Sequence, residues 1–299
     1  MTNAIRAIFN VVFNVWNWFM EIAMTLFTTA PNEASGMDGK LINTVHRLYN
    51  ALFSFALPIT VIFLFIALLK NSWIKSEEQR LPAMLSDLMR YGVIVVILAS
   101  LWDIMGYIMS VTNNIMNVVI DSNITYKLNP NDQKVLMDVI ADFELRQCEG
   151  IDDLIPWLGE MLICLLTDLL FMIVGLVVVV LVAGAGFTIV SVAFQRILKP
   201  LVILPFASIM VAVGAGGGDV GRVALSYLKT FVAFCISGAF MVAAIKVGVA
   251  FCSNGLFNFD MTDMGKIEKM ILVSVHTAAT PMVIAGLVKS MDGIIARFL

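Results

Sequence analysis

The sequence predicts an all-α, polytopic membrane helical bundle, and two observations lead to that prediction. Apolar residues make up 60% of the 299 residues and charged residues only 14%, whereas soluble domains are about half apolar and about a quarter charged. The mean hydropathy is +0.92. The apolar residues are also gathered into runs close to the roughly 20 residues that a helix needs to cross a bilayer. We therefore expect about five transmembrane helices, a short re-entrant or interfacial element and an N-terminal amphipathic helix.

Charge and reactive side chains exclude several functional classes. The net charge is −3, which argues against a protein that grips nucleic acid by neutralising phosphates. The four cysteines form no C-x-x-C pair and there are only two histidines, so a structural zinc site is not expected. No Ser-His-Asp arrangement and no paired catalytic carboxylates can be identified. We expect a non-enzymatic protein with no catalytic residue, no cofactor and no metal.

Residues 1–30 are expected to form the amphipathic helix. Polar side chains recur there at spacings of 7, 4, 3 and 4, which places them on one stripe of a helix. Two interpretations stay open. The helix lies in the outer membrane interface, or it packs against neighbours in an oligomer with the stripe toward a wet interior or another subunit. The stripe, as a predicted set of oligomer or lumen contacts, consists of Asn3, Asn10, Asn14, Asn17 and Glu21.

Five apolar runs are the predicted spans. Residues 31–109 contain two of them, Leu48 to Leu69 and Tyr91 to Met109, joined by a basic link. Residues 161–299 form a C-terminal membrane domain with three more, which are Leu169 to Val192, Thr230 to Phe251 and Ile271 to Val288.

The stretch 200–218 is predicted to be re-entrant or interfacial. Its apolar part, Leu201 to Gly214, is only about 14 residues long, which is short for a span. Pro200 and Pro205 lie at its start and a glycine run follows it. Irregular backbone is tolerated at membrane depth only where protein or a water-filled cavity covers it. The alternative is that this stretch crosses, which would move the C-terminus outside.

The distribution of basic residues sets the expected orientation. The link after the first span carries Lys70, Lys75, Arg80 and Arg90, and short basic loops stay in the cytoplasm. Residues 110–160 are acidic and are expected outside. The prediction is a bacterial inner-membrane protein with the N-terminus outside and the C-terminus in the cytoplasm.

Three charged residues fall inside the predicted spans: Asp103, Asp168 and Lys246. Such residues are costly in lipid and are functional candidates by default. They either pair with one another or reach the interface, or they form an intramembrane polar cluster at the outer mouth of a cavity.

Glycines give two further signals. Gly175, Gly184, Gly186, Gly238 and Gly248 are expected to allow close approach of helices. Residues 216–221 match G-x-G-x-x-G, but a dinucleotide site needs a preceding strand and an acidic residue about 20 positions on. Neither is present, so the glycines are expected to provide a bend instead.

The stretch Phe194 to Gly248 carries a family resemblance. It reads Phe-Gln-Arg-Ile-Leu-Lys-Pro-Leu-Val-Ile-Leu-Pro-Phe-Ala, then a glycine-rich turn, then Arg-Val-Ala-Leu-Ser-Tyr-Leu-Lys before an apolar span. This resembles the TrbL-type polytopic inner-membrane component of type IV secretion and conjugation machines.

That resemblance implies a scaffold or channel subunit that forms a homo-oligomeric ring, supports pilus assembly, and contacts membrane lipid, envelope proteins and ATPases. DNA or protein substrate would be met only in transit. The alternative is a secondary transporter or ion channel, since the stretch 200–218 has the character of a broken helix.

We expect the external segment 110–160 to meet partner proteins. A cytoplasmic entrance element is expected from Arg196, Lys199, Pro200, Pro205, Asp219 and Arg222.

Overall fold

The computed structural model describes residues 2–31, 40–74, 76–120, 154–254 and 265–298, and this part of the chain contains helices and no strand. Seven α-helices are named here in chain order. They are α1 (Thr2–Thr28), α2 (Lys40–Ile74), α3 (Glu77–Ile120), α4 (Leu154–Ile203), α5 (Ala207–Val213), α6 (Gly218–Asn254) and α7 (Lys266–Phe298).

Each predicted span lies inside one of these helices, so the all-α prediction is confirmed. Among the described residues, six stretches are long and apolar enough to cross a membrane by length and composition. Many large apolar side chains are also exposed; for example, Phe55 and Phe65 of α2 are 61% and 60% exposed. Such surfaces suit a lipid solvent rather than water. The chain is thus built as a multi-pass α-helical membrane protein. The six stretches are Ala4–Thr28, Lys40–Trp73, Glu77–Ile120, Met161–Gly216, Gly221–Cys252 and Ile267–Met291.

The stretch 200–218 continues α4 instead of leaving it as a loop. α4 runs through Pro200 to Ile203, a 3₁₀ turn over Leu204–Phe206 contains Pro205, and α5 follows directly. A second 3₁₀ turn, Gly214–Gly216, leads to Gly217, which has a φ of 66°. Proline and glycine therefore tighten a continuous helical path and then end it. Whether this path crosses or re-enters the bilayer stays a prediction.

The chain divides into two compact units, and the first comprises Met1–Thr25, Ser122–Val192 and Met241–Met291. Within it, α1 packs on α4 at two glycines. A Cβ on Gly175 would lie 2.9 Å from Cγ2 of Ile8, and a Cβ on Gly186 would lie 2.6 Å from a ring carbon of Phe19. The two contact points are eleven residues apart on both helices, or about 16 Å at 1.5 Å per residue. Because the residue numbers rise together, α1 and α4 run side by side in the same direction.

The second unit comprises Leu26–Asp121, Ala193–Phe240 and Asp292–Leu299. In its core, α5 packs against both α2 and α3. The ring of His46 stacks on Trp102 at 4.4 Å between centroids, so the start of α2 faces the middle of α3. The buried core includes Tyr49, Ala56, Leu98, Leu101, Met105, Ile197, Leu201, Ala207, Val211 and Phe231.

Two glycine contacts fix the direction of α6 in this unit. Gly217, just before α6, lies against Arg90, and Gly238 lies against Met116. The residue numbers on α6 and α3 increase in the same direction between these two contacts, so the first half of α6 runs parallel to α3. This places the turn at Gly217 beside the charged first part of α3.

Candidate functional site

The strongest candidate site is the side chain of Arg196, which is 1% exposed. It projects from α4 near the point where that helix approaches Pro200. A buried ionisable group in a membrane protein is expensive and is a functional candidate by default. The neighbouring residues Ala193 and Ile197 on the same helix are buried and apolar, so they do not lower the free-energy cost of burying the charge of Arg196.

The guanidinium of Arg196 binds the end of a helix distant in sequence. Its Nη1 donates a hydrogen bond to the carbonyl oxygen of Phe27 and a longer one, 3.4 Å, to that of Leu26. Both carbonyls belong to the last turn of α1, where a helix leaves its final carbonyls without intrahelical partners. A cation there also opposes the negative end of the helix dipole. Arg196 therefore acts as a side-chain cap for α1.

Part of the guanidinium lacks a hydrogen-bond partner within the part of the chain that the structure describes. Among the described residues, Nε and Nη2 of Arg196 have no hydrogen-bond partner. Gly238 and Met116 pack against the same side chain. Chemically, the site offers a buried positive charge with two nitrogen atoms that lack an acceptor among the described residues, which suits a carbonyl, a carboxylate or an ordered water.

The other residues of the predicted entrance element are spread along the second unit. Lys199 places Nζ 5.7 Å from the ring centroid of Phe234. Pro200 and Pro205 are buried and Arg222 is exposed, whereas the side chain of Asp219 lies outside the described residues.

The structure does not gather these residues into one cluster. Gly238 packs against both Arg196 and Met116, whereas Gly217, just before Arg222, packs against Arg90. Arg90 and Met116 are 26 residues apart on α3, or about 39 Å. The role of this element at an entrance stays a prediction.

The residues of the predicted polar stripe of α1 differ in exposure, and their role as oligomer or lumen contacts stays a prediction. Asn10, Asn14 and Glu21 are exposed, and Asn17 is half-buried with its Oδ1 unpaired among the described residues. The side chain of Asn3 lies outside the described residues. The opposite face of α1 is buried, and its members are Ile5, Phe9, Val12, Phe13, Trp16, Met20, Ala23 and Phe27.

The three intramembrane charges have different surroundings. Lys246 is 4% exposed and Asp168 is half-buried, and both belong to the first unit. Asp103 is exposed in the second unit. Their joint role as a polar cluster stays a prediction.

A second polar network near the α2–α3 turn was missed by sequence reasoning. The carboxylate of Asp87 is 5% exposed and accepts hydrogen bonds from Nδ2 of Asn71 and, at 3.3 Å, from Nη1 of Arg90. Arg90 in turn covers Gly217. The i, i+3 spacing of Asp87 and Arg90 was a usable signal, but Asn71 and Gly217 lie too far away in sequence.

The expected close approaches are confirmed at Gly175, Gly186, Gly238 and Gly248, each of which has a side chain within 3.1 Å of where a Cβ would stand. At Gly184 the expected close approach is not seen among the described residues, because none of their atoms lies within 4 Å of where a Cβ would stand. The G-x-G-x-x-G stretch follows a helix rather than a strand. It provides the bend at Gly217, as expected.

Other predicted features are only partly visible. Ser110 to Ile120 of the external segment belong to α3, and residues 121–153 lie outside the described part. Among the described cysteines, Cys235 and Cys252 are free thiols. Within the described residues, no three His, Cys, Asp or Glu side chains are grouped so that they could hold a metal ion.

No protein-family model, curated protein or solved structure matches the chain. By its fold and its site, the chain is a multi-pass α-helical membrane protein with a buried arginine that caps a neighbouring helix.

Proposed function

We propose that this chain is an inner-membrane scaffold or channel subunit of a type IV secretion or conjugation machine, which oligomerises to support pilus assembly and substrate translocation. The sequence resemblance of Phe194 to Gly248 to TrbL-type proteins suggests the machine. The apolar helices support a membrane location. In this role the energy for transport comes from partner ATPases.

The observation that carries the proposal is the polar stripe of α1. Its apolar face is fixed on α4 at Gly175 and Gly186, so the stripe cannot turn inward. Asn14 and Glu21 are exposed on a helix whose neighbour is the very apolar α4. Polar groups at membrane depth need a partner or water. A second copy of the chain or a wet lumen between copies provides either one.

The proposed orientation follows the basic residues. The α2–α3 link, with Lys70 and Arg80, lies in the cytoplasm in this proposal, as does the C-terminus. The N-terminus and residues 110–160 then face the periplasm and meet other envelope proteins. An Asn258→Cys variant tests this: labelling by a membrane-impermeant thiol reagent from outside is expected, and labelling from the cytoplasmic side alone contradicts the orientation.

The oligomer is tested by mass in gentle detergent. The wild-type chain is expected as a ring of several copies. A double variant, Asn14→Leu with Glu21→Leu, removes the polar stripe and is expected to shift most of the protein to monomer. Val11→Leu is the matched control, because Val11 is already apolar and 46% exposed on the same helix.

Two results would contradict the proposal. A wild-type protein that is a stable monomer lacks the assembly that a scaffold requires. A double variant that assembles like wild type leaves the stripe without the proposed role. In cells, the proposal predicts that the double variant fails to assemble pili and that the Val11→Leu control assembles them normally.

A secondary transporter or ion channel is the second candidate, favoured by one observation. The helical path after α4 tightens into a 3₁₀ turn at Leu204–Phe206, eight residues after the buried cation Arg196, and transporters build substrate sites where membrane helices depart from regular geometry. A transport assay on the monomer, reconstituted into proteoliposomes, distinguishes the transporter or channel from the secretion subunit. Uptake of a charged solute by proteoliposomes, lost in Arg196→Met, supports transport.

A further inference from the structure

Two oppositely charged side chains face outward in the second unit. Asp103 lies on α3 and Lys229 lies on α6, and both are exposed. They belong to the stretches Glu77–Ile120 and Gly221–Cys252, which are apolar enough to cross a membrane. Within the part of the chain that the structure describes, neither side chain forms a hydrogen bond or a salt bridge. A charge that faces lipid alone is costly, so both positions require a partner.

The two charges stand at the same level of the unit. α3 and the first half of α6 run parallel and touch at Gly217 and at Gly238. Asp103 is 13 residues from each of the two α3 side chains in those contacts, so it lies at the middle of the shared length. The middle on α6 falls between residues 227 and 228. Lys229 follows this point by one or two residues, which is about 2 Å along the helix.

The α3 face around Asp103 has room for a neighbouring helix. Ala99 and Gly106 lie four residues before and three residues after Asp103, and this spacing puts them on the same face. A Cβ on Gly106 would meet no atom of the described residues within 4 Å. Because small residues let membrane helices approach closely, this face allows another helix to come within reach of the carboxylate.

The shared level matters for a ring of copies. When the axis of a ring follows the membrane normal, every copy lies at the same depth, so a residue meets only residues at its own level on the next copy. Such a ring joins two different surfaces of the chain. Asp103 and Lys229 meet both conditions, because they share a level, lie on different helices and form no salt bridge with each other within one chain. Complementary charges across an interface also fix its register.

We propose that Asp103 of one copy forms a salt bridge with Lys229 of the next copy around the ring. The α3 face of Ala99, Asp103 and Gly106 is then the surface on which α6 of a second copy of the chain docks. This inference rests on the oligomer of the proposed function, and it names the contact between copies in the second unit.

Cysteine crosslinking tests this contact between copies. Asp103→Cys and Lys229→Cys chains with two different tags are expressed together, and their membranes are oxidised. We expect a crosslinked pair that carries both tags. Val118→Cys with Lys229→Cys is the matched control, because Val118 is 76% exposed on α3 but about 22 Å from Asp103 along the helix. This control should give only the background that wild-type chains give through their native cysteines.

Exchange of the charges tests their signs. Asp103→Lys alone and Lys229→Asp alone should each shift the protein to smaller species in gentle detergent, and both changes in one chain should restore the wild-type mass. Lys289→Asp, at an exposed position of α7, is the matched control and should assemble normally. Exposed charges contribute little to the stability of one copy, so each single variant should unfold at the wild-type temperature once the copies are separated.

Three results overturn the proposal. A wild-type oligomer whose cysteine variants give no crosslink with both tags places the contact elsewhere and leaves the proposed function intact. Single charge variants that assemble like wild type, or a double variant that stays dissociated at the wild-type unfolding temperature, remove the role of the pair. A wild-type chain that is monomeric in gentle detergent and gives no crosslink in membranes removes the proposed function together with the salt bridge.

Discussion

Gly238 of α6 lies directly against the guanidinium of Arg196, and a Cβ at this position would overlap both Nε and Cδ of the arginine. The buried charge is thus accommodated by the absence of a side chain on the facing helix. Met116 closes the same contact from α3. Three helices and the last turn of α1 therefore meet at one cation.

Gly238→Ala is expected to destabilise the protein. The added methyl forces Arg196 and Met116 to move in a closely packed region, and overpacking of this kind costs about 1–3 kcal/mol. Thermal unfolding in detergent measures the effect. Gly184→Ala is the matched control, because Gly184 has open space around it and alanine favours the helix. Equal unfolding temperatures for the two variants would contradict the described packing.

Arg196→Met is expected to keep or raise stability. Replacement of a buried charged group by an apolar side chain of similar volume is often neutral or stabilising by about 1–4 kcal/mol, and Nε and Nη2 lack partners among the described residues. Transfer or transport activity should nevertheless fall. Gln195→Met, at an exposed neighbouring position, should change neither property. A loss of stability above about 3 kcal/mol would instead show that the capping of α1 by Arg196 outweighs the cost of burying its charge.

Gly217→Ala is expected to be more costly than an ordinary glycine substitution. Gly217 has φ 66° and ψ −177°, a region used almost only by glycine at a cost of about 1–3 kcal/mol for other residues. A Cβ there would also overlap Nη1 of Arg90. Gly221→Ala is the control, since its Cβ would stand 3.7 Å from the oxygen of Gly214. Comparable unfolding temperatures for the two variants would refute this turn geometry.

Asp87→Ala is expected to weaken the α2–α3 pair. The substitution leaves Asn71 without its acceptor, and loss of a partner for a part-buried polar group costs about 1–3 kcal/mol. The Arg90 contribution is small, because the Arg90 side chain is 41% exposed and solvent screens the pair. Asp103→Ala, an exposed aspartate on the same helix, is the control. An unfolding temperature lowered equally in both variants would argue against the network.

The helices themselves could be predicted because their signal is local. A run such as Leu169 to Val192 is apolar throughout and has the length of a span, and it falls inside α4. The stripe of α1 was visible as a spacing pattern, and its exposure agrees with that pattern.

Partners between helices could not be predicted in the same way. Glycine at positions 175 and 186 indicates that something comes close, but nothing in either sequence neighbourhood names Ile8 and Phe19 as the residues that do. The same holds for Arg196, whose partner Phe27 is 169 residues away. The stretch 200–218 was predicted as a separate element because prolines and glycines usually break helices, whereas here short 3₁₀ turns carry the helical path through.

The parallel register of α1 and α4 has a consequence for how the chain is threaded. Two crossing helices that point the same way enter the bilayer from the same face, so if α1 and α4 both cross, the chain between them must make an odd number of passages. The described part of that stretch has two candidate spans, in α2 and α3. If these two are its only passages, α1 does not cross, and reporter fusions at Thr2 and Thr28 should be active in the same compartment; activity in opposite compartments would contradict this count.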